Sequence, residues 1–194
     1  DGSTDRTAEV AQGVIDRLPL PANLRIQLVD FDKNRGKATV LNCGLMLATH
    51  ELVVTIDADS RLNPDALTYI VERLLSDPDD TVAIAGAILV RNSRDNLITG
   101  AQEWDYFHGI AAVKRMQSMY HGTLVAQGAF SLYTRKALDE VGGWPECVGE
   151  DIVLSWALLA TGARIGYCED ACLFTKVPEK LGQFARQRQR WSRG

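Results

Sequence analysis

The sequence lacks several things, and each absence narrows what the protein does. No apolar run among its 194 residues reaches the length of a membrane-spanning helix, and no signal-peptide pattern occurs in it. Cysteine is scarce. The four cysteines, Cys43, Cys147, Cys168 and Cys172, show neither the CxxC pairing of a zinc site nor the density of a disulfide scaffold. "CEDAC" brings two thiols near each other without a second ligand pair, so ordinary thiols in a reducing compartment are expected. A basic excess is missing too: the formal net charge of -4 and pI near 5.4 argue against a general nucleic-acid binder. Internal repeats, low-complexity tracts and linkers are absent, and 46% hydrophobic content is ordinary for a globular chain. One domain spanning residues 1–194 is expected. Acidic residues stop at Glu179, whereas Lys180, Arg186, Arg188, Arg190 and Arg193 crowd the end. The chain opens with turn chemistry, "DGSTDRT", where a strand would normally lead in, and stops after a basic helix; a segment of something longer is expected.

What is present alternates between helix and strand. Val10, Val14, Ile15 and Leu18 mark one face of a helix from about Thr4 to Leu18, with Ser3, Thr4 and Asp5 offering acceptors at its start. "LRIQLVDF" alternates as a strand. Leu41, Leu45 and Met46 give the next helix a buried face, and Leu52 to Ile56 read as a short, continuously apolar strand of the parallel, doubly covered type. Pro64 opens a helix carried on by Leu67, Ile70, Val71 and Leu74. "VAIAGAILV" is another buried strand. From Asn96 a long segment with Trp104, Tyr106, Phe107, Ile110, Val113 and Met116 reads as helix, followed by a strand and short helix in "VAQGAFSLYTRKALDEVGGW". "EDIVLSWALLATG" is a helix ended by Gly162. "ARIGYC" and "ACLFTKV" read as two short strands before the terminal helix. The pattern predicts an α/β fold, a mostly parallel sheet flanked by helices.

In open parallel sheets ligands collect beyond the carboxyl ends of strands. "VVTIDADS" delivers Asp57 and Asp59 to such a place, and carboxylates beside a core call for a cation. Hard oxygen ligands select Mg²⁺ or Mn²⁺, which would clamp a diphosphate leaving group. The alternative is that Asp59 caps the turn before Pro64. A second pair, Glu150 and Asp151, opens a helix whose dipole favours an ionised acid, the state of a general base; acids in first helical turns are also merely common. "NRGK" sets Lys37 at a helix start suited to phosphate, though without the glycine pattern of a P-loop. "QRQRW" adds guanidinium groups for pyrophosphate and an indole for stacking on a sugar. Phe184, Arg188 and Trp191 at helical spacing also suit an amphipathic helix lying on anionic lipid.

The order "DGSTDRT", "NRGKATVLNCGL", "DADS", "GED", "QRQRW" resembles the inverting, membrane-associated, processive family 2 glycosyltransferases that make cellulose, chitin, hyaluronan and poly-N-acetylglucosamine. Spacing is most similar to the poly-N-acetylglucosamine synthases. The resemblance implies a GT-A nucleotide-diphosphosugar transferase fold, a UDP-sugar donor, a growing polysaccharide as acceptor and a divalent ion. It implies that Asp1 contacts the uracil and that Lys37 and Arg190 serve the donor. Asp57 would reach the nucleotide sugar and Asp59 the metal. Asp151 would be the base, with Glu150 beside it, and Gln187 and Trp191 would hold the acceptor. Flanking membrane helices and a place at the cytoplasmic face of a bacterial plasma membrane are implied as well, and the basic end fits an acidic leaflet.

Departures from the family and rival readings bound this expectation. Gly149 stands where "TED" usually has threonine, and "AQGAF" is only loosely like the family's acceptor-side loop. The family's first strand, which precedes "DGS", is missing from this sequence, so the segment by itself is expected to be marginally stable and inactive. UDP-N-acetylglucosamine is the expected donor, UDP-glucose the alternative. A haloacid-dehalogenase-type phosphohydrolase would carry its D-x-D on the first strand. A non-processive lipid-linked sugar transferase would not need "QRQRW". A catalytically silent polymer- or membrane-binding domain would be indifferent to Mg²⁺.

Overall fold

A computed structural model describes residues 1–120 and 122–192. Arg193, part of the basic end, lies outside the described residues. The run "VAIAGAILV" forms the centre: strand β3 (Thr81–Val90) is buried along nearly its whole length. It pairs in parallel with β5 (Arg164–Thr175) and antiparallel with β4 (Phe130–Thr134). Strand β1 (Leu52–Ile56) adds to β4 and the two-residue β2 (Arg61–Leu62) to β5, giving the order β1-β4-β3-β5-β2.

Alternation along β3 and β4 sends side chains to both faces. Ile84, Ile88 and Leu132 meet Ile70 of α3 (Ala66–Ser76) in one core cluster. Ala83 and Tyr133 meet Leu138 of α6 (Arg135–Val141) and Leu154 and Leu158 of α7 (Glu150–Ala160) in the other. A continuous run of helix packs against β3 and β5: α4 (Leu97–Asp105), a π-helical stretch Tyr106–Ala112, and α5 (Val113–Tyr120). Asn96 begins it with a reciprocal capping box to Thr99.

Three expectations are corrected. The α/β class stands, but the sheet is mixed, since β3 with β5 is the one parallel pairing among the four in the described residues. β1 is an antiparallel strand at the sheet's edge, not a parallel central one. Apolar runs report burial, and burial says nothing of strand direction. "ARIGYC" and "ACLFTKV" are one strand, broken in register where Gly86 faces Cys168 and Ala87 faces Cys172.

The beginning of the chain departs most. The first helix, α1, spans Thr7–Ile15 and buries nothing, and Asp5 accepts the Thr7 N–H at 3.0 Å. Residues 24–31, expected as a strand, have no assigned secondary structure and join no ladder among the described residues, and Leu24, Ile26, Leu28 and Val29 are exposed. Helix α2 (Lys37–Leu47) buries Leu45 while Met46 faces solvent; in α3, Ile70 is buried and Leu67 is not.

Candidate active site

A cleft of ≈ 850 Å³ lies where β1 delivers its acids. It is bordered by Lys37, by the Asp57/Asp59 pair, by the Glu150/Asp151 pair, and by Gln187, Arg190 and Trp191 of α8 (Leu181–Trp191). The two acidic clusters expected to cooperate thus share one cavity. Asp1 stands apart: its carboxylate accepts the backbone N–H of Arg35 at 2.8 Å and of Gly36 at 3.1 Å. Those amides, expected to suit a phosphate, hold the chain's own first residue instead, and they fix the loop that leads into Lys37.

Lys37 joins the halves of the cleft. Gly36, at φ +86°, turns the chain into α2, a left-handed conformation that side-chain-bearing residues rarely adopt. The Lys37 ammonium then donates to Asp57 Oδ1 at 2.8 Å and to the Gly128 carbonyl at 3.4 Å, and lies 3.8 Å from Glu150 Oε1. Asp57 is held at its backbone by an N–H to the Ala129 carbonyl, 3.1 Å. Asp59 is exposed and takes a hydrogen bond from the Ser60 hydroxyl at 3.2 Å. The helix expected to open at Pro64 begins at Ala66, and the side-chain bond that Asp59 makes in the turn before Pro64 is the one from Ser60.

Among the described residues no group of three Asp, Glu, His or Cys gathers as a metal centre. Asp57 and Asp59 supply two hard-oxygen carboxylates, a partial shell of the kind a magnesium-class ion completes with water and phosphate oxygens.

The Glu150/Asp151 side is built on α7. Gly149 precedes it in the left-handed conformation, φ +79°, which places both acids in the first turn. Gly149→Ala is expected to cost about 1–2 kcal/mol of stability, the penalty of a side chain in that conformation, read as a lowered thermal midpoint. Asp151 Oδ2 accepts the Gly128 N–H at 2.9 Å and Oδ1 the Ile152 N–H at 3.0 Å. Ser155, one turn on and fully buried, donates to the Asp151 carbonyl at 2.6 Å and accepts the Ala126 N–H at 2.9 Å.

The "AQGAF" loop is therefore tied to Asp151 and Ser155 by adjacent hydrogen bonds. Tyr133 adds a bond to the Ala126 carbonyl at 3.2 Å, and Gln127 reaches the Gly86 carbonyl at 2.7 Å. Gly128 leaves room for all this, since a Cβ there would stand 3.1 Å from Lys37 Nζ and 3.5 Å from Asp151 Oδ2.

Helix α8 docks by a face that the sequence also allowed to lie on lipid. Arg188 pairs with Asp105 Oδ2 at 2.6 Å and stacks on Phe184, Tyr106 and Trp191, at 5.0, 5.9 and 4.6 Å from the ring centroids. Arg188 thus turns toward Tyr106 of the π-helical stretch, with the Trp191 ring 6.3 Å from that of Tyr106 but still exposed, as are Arg186 and Arg190. Gln187 Oε1 is buried without a protein partner beside the cleft.

Sequence reasoning passed over Lys114. It is 7% exposed on α5, borders the cleft, and donates to the Val125 carbonyl and, at 3.3 Å, to Thr123 Oγ1. Burial pushes its ammonium down to about 8, with Asp151's charge acting in the opposite direction. The signal was available: Lys114 follows Tyr106 and Ile110 at helical spacing, on the inward face of an apolar pattern.

Comparison with known proteins follows the same lines. The profile of Glycosyl transferase family group 2 matches residues 52–194. Poly-beta-1,6-N-acetyl-D-glucosamine synthase of Staphylococcus aureus (strain COL) is 34% identical over 195 residues, covering 100% of this chain and 45% of the relative. The synthase of the same name from Staphylococcus epidermidis matches at the same identity and coverage. The chain thus spans about half the length of the curated relatives it matches. Among solved structures, the mannosyltransferase PcManGT from Pyrobaculum calidifontis, in complex with GDP-Man and Mn²⁺, superposes with a TM-score of 0.75 at 26% identity. That match covers 97% of this chain and 49% of the other, and it establishes the expected GT-A fold. With a mixed sheet of that fold and a family match reaching from its edge strand to its last helix, the chain belongs to Glycosyl transferase family group 2.

Proposed function

We propose that this chain is one catalytic domain that transfers a sugar, N-acetylglucosamine first among candidates, from a UDP-sugar to the hydroxyl end of a growing β-linked polysaccharide, with inversion. The observation that carries the reading is the shared cleft: Asp57 and Asp59 on one wall, Glu150 and Asp151 on another, and Lys37 reaching from Asp57 to Glu150. The 34% identity to poly-beta-1,6-N-acetyl-D-glucosamine synthases supports the choice of sugar and polymer.

In this reading Asp151 takes the proton of the acceptor hydroxyl. Its orientation is set by the Gly128 and Ile152 amides. The hydroxyl oxygen then bonds to the anomeric carbon as the bond from that carbon to the diphosphate breaks on the opposite face, and the bonding electrons leave with UDP. No sugar–enzyme bond forms, so the configuration inverts. Asp57 and Asp59 would hold a divalent ion, and Lys37 and Arg190 would lie along the donor. When bound, the ion supplies positive charge to the departing diphosphate. The buried, unpartnered Gln187 oxygen and the Trp191 indole would meet sugar hydroxyls and a ring face. Asp1, outside the cleft, supports the donor side by fixing the loop before Lys37.

No helix among the described residues is long and apolar enough to cross a membrane. We place the domain at the cytoplasmic face of a bacterial plasma membrane, with the exposed Arg186 of α8 turned toward acidic lipid.

The test is UDP release by membranes carrying the protein at its full natural length, with UDP-N-acetylglucosamine and UDP-glucose compared. Release with the first is expected to stop on chelation and to return with Mg²⁺ or Mn²⁺. Release that ignores chelation overturns the metal assignment. No release from any UDP-sugar favours a silent binding domain.

A further inference from the structure

Lys114 is the buried charge that this mechanism does not use. Its ammonium has three N–H donors. Two are taken, by the Val125 carbonyl and the Thr123 hydroxyl, and that hydroxyl passes its own proton to Gln117 Oε1 at 3.1 Å. Gln117 Oε1 also accepts the Leu124 N–H at 3.3 Å, so the lysine sits in a fixed frame at the start of the loop that ends on Asp151. Among the described residues no carboxylate pairs with it as a salt bridge. A cation kept out of water without a counter-ion is costly to the fold, and such groups in clefts mark function more often than architecture. Lys114 lines the same cleft as Asp151, and the loop it holds at Thr123 and Val125 reaches Asp151 three residues on, through the Gly128 N–H.

We propose that Lys114 is a sugar-contacting residue, whose remaining N–H meets an oxygen of the acceptor's terminal unit as that unit presents its hydroxyl to Asp151. The assignment rests on the sugar-transfer reading above. A lysine is suited to this work: a charged donor on a fixed frame reads an oxygen at one position, and water cannot replace it once the acceptor covers the cleft.

A purely structural lysine and a sugar-reading lysine predict opposite results. Its ammonium releases its proton more easily in the folded chain than in the unfolded one, so the folded state is penalised while the group is charged. Stability therefore rises as pH climbs from about 8 toward the ordinary lysine value of 10.5. Lys114→Met removes that penalty at pH 7 and loses two hydrogen bonds.

The experiment compares parent, Lys114→Met and Lys114→Arg at full natural length in membranes. It reads donor KM, UDP released per sugar built into polymer, and the thermal midpoint at pH 7. For Lys114→Met, polymer formation is expected to fall about tenfold or more, what one charge-assisted hydrogen bond is worth. UDP release by transfer to water is expected to persist, donor KM to stay within about twofold of the parent, and the midpoint to hold or rise. Lys114→Arg, which keeps the charge, is expected to fall between parent and Met. A Met variant that elongates within about twofold of the parent overturns the proposal. So does a lowered midpoint with donor KM and polymer formation lost in parallel, and so does an Arg variant no better than Met. A parent that releases no UDP overturns the sugar-transfer reading itself and this assignment with it, whereas an active parent indifferent to Lys114→Met sinks this assignment alone.

Discussion

Asp151→Asn is expected to lower polymer formation by about 10²–10⁴-fold, the range a positioned general base contributes. The side chain keeps its shape, so UDP-sugar binding on the Asp57 wall is expected to survive. Two backbone amides, Gly128 and Ile152, donate to the carboxylate, and an asparagine has one acceptor oxygen where the acid has two. One amide is therefore left facing an NH₂ group, a cost of about 1–3 kcal/mol. A modest drop in thermal midpoint is thus part of the expectation. Glu150→Gln separates the two acids. Glu150 lies 3.8 Å from Lys37 and no hydrogen bond fixes its carboxylate among the described residues, so its loss is expected to cost far less. An Asp151→Asn protein that elongates within about tenfold of the parent would remove the base assignment, whatever Glu150→Gln does.

How much of this was legible in the sequence depends on what each signal records. "VAIAGAILV" and "EDIVLSWALLATG" were readable as β3 and α7 because their apolar runs are enforced by burial against several partners at once and are bounded by turn residues. The acids were findable because their types and positions at element ends are chemical statements: Asp57 and Asp59 leave a strand, Glu150 and Asp151 enter a helix. Strand direction was not legible, because apolar content is indifferent to whether β4 runs with β1 or against it. The segment at 24–31 misled for a related reason. Its alternation predicts a half-buried strand, yet no ladder partner lies beside it among the described residues, and its apolar side chains meet solvent.

Lys114 and Arg188 show a different gap. Each is a basic residue in a helix, indistinguishable by type from a solvated neighbour, and each is used inward: Arg188 to lock α8 onto Asp105 and Tyr106, Lys114 to frame the loop before Asp151. Their phase on the helix carried the information, and their residue type concealed it.

The second large effect is expected from a single methyl group. Gly86 sits mid-strand in β3, where β5 slips register. A Cβ built there overlaps the Phe130 ring outright and comes within 3.0 Å of the Ala171 carbonyl oxygen. Phe130 has nowhere to go, being fully buried and laddered opposite Ile56. Gly86→Ala is accordingly expected to destabilise the fold by about 3 kcal/mol, the upper part of the range for overpacking a core. At about 2–4 °C per kcal/mol for a chain of this size, the thermal midpoint falls on the order of 10 °C.

Function is expected to suffer beyond that loss. Displacing Phe130 moves Ala129, whose carbonyl takes the Asp57 N–H, and Gly86's own carbonyl holds Gln127 in the loop that leads to Asp151. Gly44→Ala is the control of identical chemistry. Gly44 lies in α2 with nothing within 4 Å of a built Cβ, so alanine there is expected to stabilise by about 0.5–1 kcal/mol. Two glycine-to-alanine changes of opposite sign, measured as thermal midpoints in one preparation, test whether the packing between β3 and Phe130 is what aims the strand-end acids into the cleft. Equal, small shifts from both would mean that it is not.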